Sequence, residues 1–142
     1  ELIIEPLILR REEREVGVER LDHYSIRTTD LESTRQFFVE VLGFEVGYRP
    51  SFTFPGIWLY CGEHPVVHLI GIEKDQPTGS GAVDHLAFAA TDANEIRTKL
   101  EEMGLNYRER RVPDLLRHQI FVDDPNGITV ELIIPFAETP NA

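Results

Sequence analysis

At 142 residues, with 42% hydrophobic and 27% charged side chains, the chain has the composition of one soluble globular domain with a real core, which excludes a disordered segment. A formal net charge of −11 and a pI near 4.8 argue against nucleic acid and anionic membrane surfaces as partners, because both repel an acidic surface. No apolar run approaches the length of a membrane span, and the one cysteine, Cys61, lies in the apolar run 57–61, where it reads as a buried small hydrophobe suited to a reducing cytoplasm.

Residues 1–19 pass from an apolar start to the charged stretch 10–15. That order is the reverse of a secretory signal, and the expectation is an arm packing on a partner subunit. Residues 20–28 alternate as a strand. Thr29 and Glu32 stand at capping-box spacing, and Leu31, Phe38, Val41 and Leu42 form the apolar stripe of a helix that Gly43 ends. Strands are predicted near 44–50, 56–61 and 65–72, divided by Pro, Gly and charged turns. A polar, Gly- and Pro-rich linker covers 72–81. Beyond it a strand near 83–90 leads to a second helix, with Asp92 and Glu95 as capping pair, Ile96, Leu100 and Met103 as stripe, and Gly104 as stop. Strands near 105–112, 117–123 and 128–134 follow, the last two joined by the turn Asp123-Asp-Pro-Asn-Gly127. The tail 137–142 is expected to be loose.

The second pass along these elements repeats the first. At an offset of 62 residues Asp22 falls on Asp84, His23 on His85, Thr29 on Thr91, Asp30 on Asp92 and Arg35 on Arg97. A duplicated structural unit is implied, with modules 20–72 and 82–136 in a single domain 20–136. Each unit reads as strand, helix and three more strands. The same later slot of each unit holds another polar side chain: His68 lies 45 residues after His23, and Glu131 lies 46 after His85.

Side chains alternate across a strand, so parity assigns faces. Tyr24 and Ile26, Val67 and Leu69, Leu86 and Phe88, and Val130, Leu132 and Ile134 take the helix-covered face. His23, His68, His85 and Glu131 then project from the other face, which carries three of the five histidines. A lone strand histidine is more often a hydrogen-bonded structural residue, but here duplication and parity agree. Imidazole and carboxylate suit zinc, nickel, cobalt, manganese or ferrous iron without distinguishing them. His64, in a predicted turn, and His118, at a strand start, are not expected to bind metal; His118 is a candidate substrate contact. Phe52, Phe54, Trp58 and Tyr60 read equally as cleft wall or core. Arg117 and the group Arg108–Arg111 are candidates for a substrate anion, with a solvated surface the commoner role.

These residues carry a resemblance. Leu21-Asp-His23, Val41-Leu-Gly-Phe44, Val66-Val-His-Leu69, Val83-Asp-His-Leu-Ala-Phe88 and Asp124-Pro-Asn-Gly-Ile-Thr-Val-Glu-Leu132 resemble the vicinal-oxygen-chelate superfamily over about residues 20–135. That group includes glyoxalase I, methylmalonyl-CoA epimerase, fosfomycin-resistance proteins, extradiol dioxygenases and bleomycin-resistance proteins. The resemblance implies an α+β fold of two tandem βαββ modules, forming a curled, open barrel-like sheet with helices outside. It further implies a divalent metal held by His23, His85 and Glu131 with His68 as fourth ligand, Glu131 as proton shuttle, and a homodimer. His68 departs from the pattern, since glyoxalase I and the epimerases use Glu or Gln there. The expected activity is a metal-dependent lyase or isomerase acting on a small oxygenated substrate, through polarisation of a carbonyl. Alternatives are extradiol ring cleavage on a two-His-one-carboxylate iron site, a fosfomycin-type transferase, and non-enzymatic drug binding.

Overall fold

A computed structural model describes residues 17, 18, 20–113 and 116–136. Most of the predicted arm and the whole predicted tail lie outside the described residues.

The elements run β1 (Tyr24–Thr28), α1 (Leu31–Gln36) with a π-helical continuation Phe37–Val41, β2 (Glu45–Gly47), β3 (Gly56–Cys61) and β4 (His64–Gly71), then β5 (Leu86–Ala89), α2 (Ala93–Glu102), β6 (Tyr107–Val112), β7 (Arg117–Asp123) and β8 (Thr129–Pro135). They form two four-stranded sheets of the same order, β1-β4-β3-β2 and β5-β8-β7-β6. In each sheet the first strand runs parallel to the last, and the other pairings are antiparallel. The fold is α+β, two repeats of strand, helix and three strands, and the sheets stay open rather than closing on each other. No helix among the described residues is long and apolar enough to cross a membrane.

Alternation decides which sheet face is buried. Ile26, Leu59, Val67 and Leu69 of the first sheet pack with Phe37, Phe38 and Val41; Ile120, Val122, Val130, Leu132 and Ile134 of the second pack with Ala93 and Leu100. The two modules share this core. The Phe88 ring meets Phe44 at 5.4 Å and Tyr24 at 6.2 Å, and Asn126 Nδ2 donates across the joint to Thr34 Oγ1 at 3.0 Å.

Local details depart from the sequence reading in three places. The first helix is capped by Asp30, which accepts from the Ser33 amide at 3.0 Å, and not by Thr29. Thr28 Oγ1 receives the Asp30 amide and fixes the entry one residue later; Asp92 caps α2 as expected, accepting from the Glu95 amide. Phe37 and Phe38 are both buried, at 3% and 0% exposure, although a 3.6-residue period turns only one of two neighbours inward. The wider π turn admits both. Cys61 is exposed, not buried: the β3–β4 register shifts between Leu59 and Cys61, and this irregularity turns the thiol out of the core row.

The sheet edges differ in character. β2 is three residues long and β6 carries Arg108, Glu109, Arg110 and Arg111, so both edges resist unwanted pairing. β1 and β5 are also edges, and β5, Leu-Ala-Phe-Ala, has no charge at all.

Tyr24 Oη is buried without a hydrogen-bond partner among the described residues, and burial pushes the phenol well above its usual range. A desolvated, unpaired hydroxyl costs stability, so Tyr24→Phe is expected to stabilise the fold by about 1 kcal/mol. Urea unfolding measures this, and a loss of stability would reveal a partner for the hydroxyl.

Candidate functional site

His23 and His85 stand one residue ahead of β1 and β5 rather than inside strands, because pairing with β4 and β8 begins only at Tyr24 and Leu86. Each ring is braced by its preceding residue. His23 Nδ1 donates to Asp22 Oδ2 at 2.7 Å and His85 Nδ1 donates to Asp84 Oδ2 at 2.7 Å. An ionised carboxylate only accepts, so each Nδ1 carries a proton; the Nε2 of His23 is left for a ligand, and the Nε2 of His85 is directed at Glu131. The brace also moves the titration of Asp22 and of His85. Its hydrogen bond from His23 holds Asp22 below the usual carboxylate range, and the Asp84 hydrogen bond, with Glu131 behind it, raises His85.

His68 lies within β4, beside Ser25 of β1 and Trp58 of β3. Its ring is sandwiched, with His23 stacked on one contact at 3.9 Å and 16°, and Trp58 on another at 3.9 Å and 8°. His68 Nε2 donates to the Pro65 carbonyl at 2.9 Å, which leaves Nδ1 as its lone-pair nitrogen. Burial, followed by the neighbouring His23, lowers its pKa.

Glu131 sits in β8 between Ala87 of β5 and Phe121 of β7, and is only 5% exposed. Its Oε2 lies 3.0 Å from His85 Nε2, and its Oε1 accepts from Gln119 Nε2 at 2.5 Å. Gln119 is in turn held by Arg110 Nε at 2.9 Å. Two donors bound side by side to one ion at roughly 2.1 Å stand about 3 Å apart, so the separation of His85 Nε2 and Glu131 Oε2 fits adjacent metal ligands.

The four predicted ligands are thus brought together as two pairs, His23 with His68 and His85 with Glu131. Among the described residues no group of three or more His, Cys, Asp or Glu is close enough to hold one metal ion. The pairs stay apart because each belongs to its own open sheet.

The remaining candidates separate cleanly. Trp58 belongs to the His68 stack; Phe52 and Phe54 stack at 5.2 Å beneath the Arg49 guanidinium, and Tyr60 donates to the Tyr48 carbonyl. His64 begins β4 and is exposed, rather than lying in a turn. His118 is not placed for substrate. It is 3% exposed on the helix side of the second sheet, 3.3 Å from Glu109 and against Arg97 of α2. Asp22, Asp84 and Gln119 were missed as supports, although the duplicated aspartates were visible at the repeat offset.

Comparison with known proteins follows the same lines. A family model described as the Glyoxalase/Bleomycin resistance protein/Dioxygenase superfamily matches residues 20–132. A curated protein of Arabidopsis thaliana named Glyoxylase I 4 is 30% identical over 120 residues, covering 79% of this chain and 68% of its own length. A solved structure of a putative glyoxalase family protein from Bacillus anthracis superposes with a TM-score of 0.69 at 22% identity, covering 86% of this chain and 99% of the other. A genomically encoded fosfomycin resistance protein from Listeria monocytogenes does so with a TM-score of 0.66 at 16% identity, covering 83% and 94%. At these identities the solved structures speak for the fold alone.

Proposed function

The chain belongs to the Glyoxalase/Bleomycin resistance protein/Dioxygenase superfamily, and on that premise we propose that it is a divalent-metal-dependent, glyoxalase-like lyase or isomerase of the cytoplasm, acting on a small oxygenated substrate that chelates the metal. The observation that carries this reading is the His85–Glu131 pair, with donor atoms 3.0 Å apart and each side chain fixed from behind by Asp84 or Gln119. The proposed ligands are His23, His68, His85 and Glu131, and zinc, nickel, cobalt, manganese or ferrous iron suits the set. Such an ion supplies Lewis acidity toward a substrate carbonyl.

The chain's own residues do the rest. Glu131 takes a proton from one substrate carbon and returns it to the neighbouring carbon, so the product keeps every atom of the substrate. Its burial keeps that proton from bulk water, and Gln119 keeps the carboxylate pointed at the reacting carbon. Asp22 and Asp84 fix the orientation of the two rings through Nδ1. Replacing Asp84 by Asn, which removes the charge but keeps the shape, is expected to weaken metal binding roughly 10–100-fold in a competition titration with a chelator.

In this reading the two pairs meet across a homodimer, the first module of one protomer facing the second module of its partner. Two features support the arrangement. β1 and β5 are open edges of low charge, and the lead-in residues Leu21 and Val83 beside them are 75% and 52% exposed.

The test is metal analysis of the purified protein followed by assay of the loaded enzyme with hemithioacetals of 2-oxoaldehydes. Stoichiometric metal is expected, with turnover falling at least about a hundredfold in Glu131→Gln. A protein that holds no stoichiometric divalent metal, or a His85→Ala variant with full activity, sinks the reading. A second reading is favoured by the His68 sandwich. If that ring stays between His23 and Trp58, three ligands remain, the two-His-one-carboxylate set of an extradiol dioxygenase. Anaerobic ferrous loading followed by a panel of catechols decides it, a yellow ring-cleavage product being the positive result.

A further inference from the structure

We propose that Arg108 and Arg110, on the outer strand of the second sheet, bind an anionic group of the substrate, which makes the substrate class an organic acid with a chelating head, an apolar spacer and a carboxylate or related oxyanion tail. The inference rests on the reading of His85 and Glu131 as part of the reacting centre, and it deepens that reading.

Strand register lines the residues up. Glu131 of β8 is opposite Phe121 of β7, which is opposite Arg108 of β6; Gln119 of β7 is opposite Arg110 in the adjoining row. Parity therefore puts both guanidinium-bearing residues on the face that carries Glu131, while Glu109 faces α2 with Arg97 and His118. Phe121 spans the gap, its ring 6.5 Å from the His85 ring and 5.3 Å from Arg108 Cζ. With strands about 4.8 Å apart, head and tail of a ligand along this row are separated by roughly 5–10 Å.

Charge pairing is compatible with the same two residues, although Arg27, Arg49 and Arg117 also lack a carboxylate partner among the described residues. The chain has 25 acidic and 14 basic side chains, so carboxylate partners are plentiful. On the helices Arg35 pairs with Glu32, Lys99 with Glu95 and Arg97 with Glu109. Among the described residues Arg108 and Arg110 have no carboxylate partner. Instead Arg108 rests on the Phe121 ring and Arg110 gives only its Nε, to Gln119, which leaves the guanidinium forks open for bidentate contact with an oxyanion. Beside Arg108 opens a cavity of about 380 Å³, lined also by Asn106, Tyr107, Phe121, Asp123 and Thr129. The one carboxylate in that lining, Asp123, is engaged by the Thr129 hydroxyl at 2.8 Å, and it directs the anion toward the Arg108 side.

The test is NMR of the arginine Nε–Hε groups of the full chain, metal-free and metal-loaded, titrated with adipate, with neutral adipamide and with inorganic phosphate. Adipate is expected to shift Arg108 and Arg110 saturably while Arg27 and Arg117 move little, and adipamide is expected to leave all four in place. Arg108→Met and Arg110→Met should each weaken adipate roughly tenfold or more, with circular dichroism unchanged. A further gain in adipate affinity on metal loading, absent for phosphate, would join anion and metal in one ligand. Uniform shifts of every arginine, an equal response to adipamide, or Met variants that bind adipate like the parent would overturn the proposal. Phosphate binding tighter than adipate in both states would make this an inorganic-anion site and overturn the substrate assignment. Metal content is a separate readout: a chain without metal that still holds adipate at Arg108 and Arg110 defeats the proposed reaction and leaves the anion site standing.

Discussion

Refolded together, a His23→Ala/His68→Ala chain and a His85→Ala/Glu131→Ala chain are expected to bind metal that neither binds alone. Each variant lacks one whole pair, and two ligands of four cannot hold the ion against water. In a homodimer whose sites each combine one module from either protomer, the mixed dimer contains one site with both pairs intact and one with both removed. Random reassociation makes about half of the dimers mixed, so the sample should reach about a quarter of parental metal content. Metal analysis after gel filtration measures it. A mixture that stays empty, beside a parent that loads fully, would mean that the pairs close within one chain and that the open sheets rearrange to allow it. The outcome is large in either direction because chelation is lost or regained as a unit.

Phe38→Ala is expected to cost about 3–5 kcal/mol, a large share of the roughly 5–15 kcal/mol that stabilises a domain of this size. Phe38 has no exposed surface and meets Phe37 and Phe44 edge-on at 5.4 and 5.5 Å. Its carbonyl also accepts the Phe44 amide at 3.0 Å, closing the turn after the π segment. Removing the ring opens a cavity between the helix and the aromatic chain that continues through Phe44 to Phe88 and the second module. Urea unfolding should show a lower midpoint with the slope preserved, and Phe38→Leu should lose less, about 1–1.5 kcal/mol. A loss for alanine below about 2 kcal/mol would show that the π turn collapses into the space.

What the sequence made legible was whatever alternation and repetition govern. Duplication marked out two like modules, and parity turned His68 away from Val67 and Leu69 and Glu131 away from Val130 and Leu132, as the buried cores require. His118 shares its strand face with Ile120 and Val122, so its burial was open to the same reasoning and was overlooked. Other features depend on contacts distant in the chain. The Trp58–His68 stack follows from β3–β4 register, and the π turn follows from a core wide enough for two adjacent phenyl rings. Thr29 and Asp30 are both competent caps, and Thr28 Oγ1 on the Asp30 amide tips the choice. Most important, periodicity within one module says nothing about which module faces which, and so the division of the four candidate ligands into two pairs was hidden.

The bare rim of β5 has a practical side. Leu86–Ala89 offers unpaired amides and carbonyls with no lysine, proline or bulge to deter a stranger. In the proposed dimer that rim is covered, and dissociation uncovers it on every chain at once. A chelator or strong dilution should then cloud the solution as well as silence the enzyme, since loose rims recruit one another without limit. The metal, on this account, is also what keeps the protein from clumping.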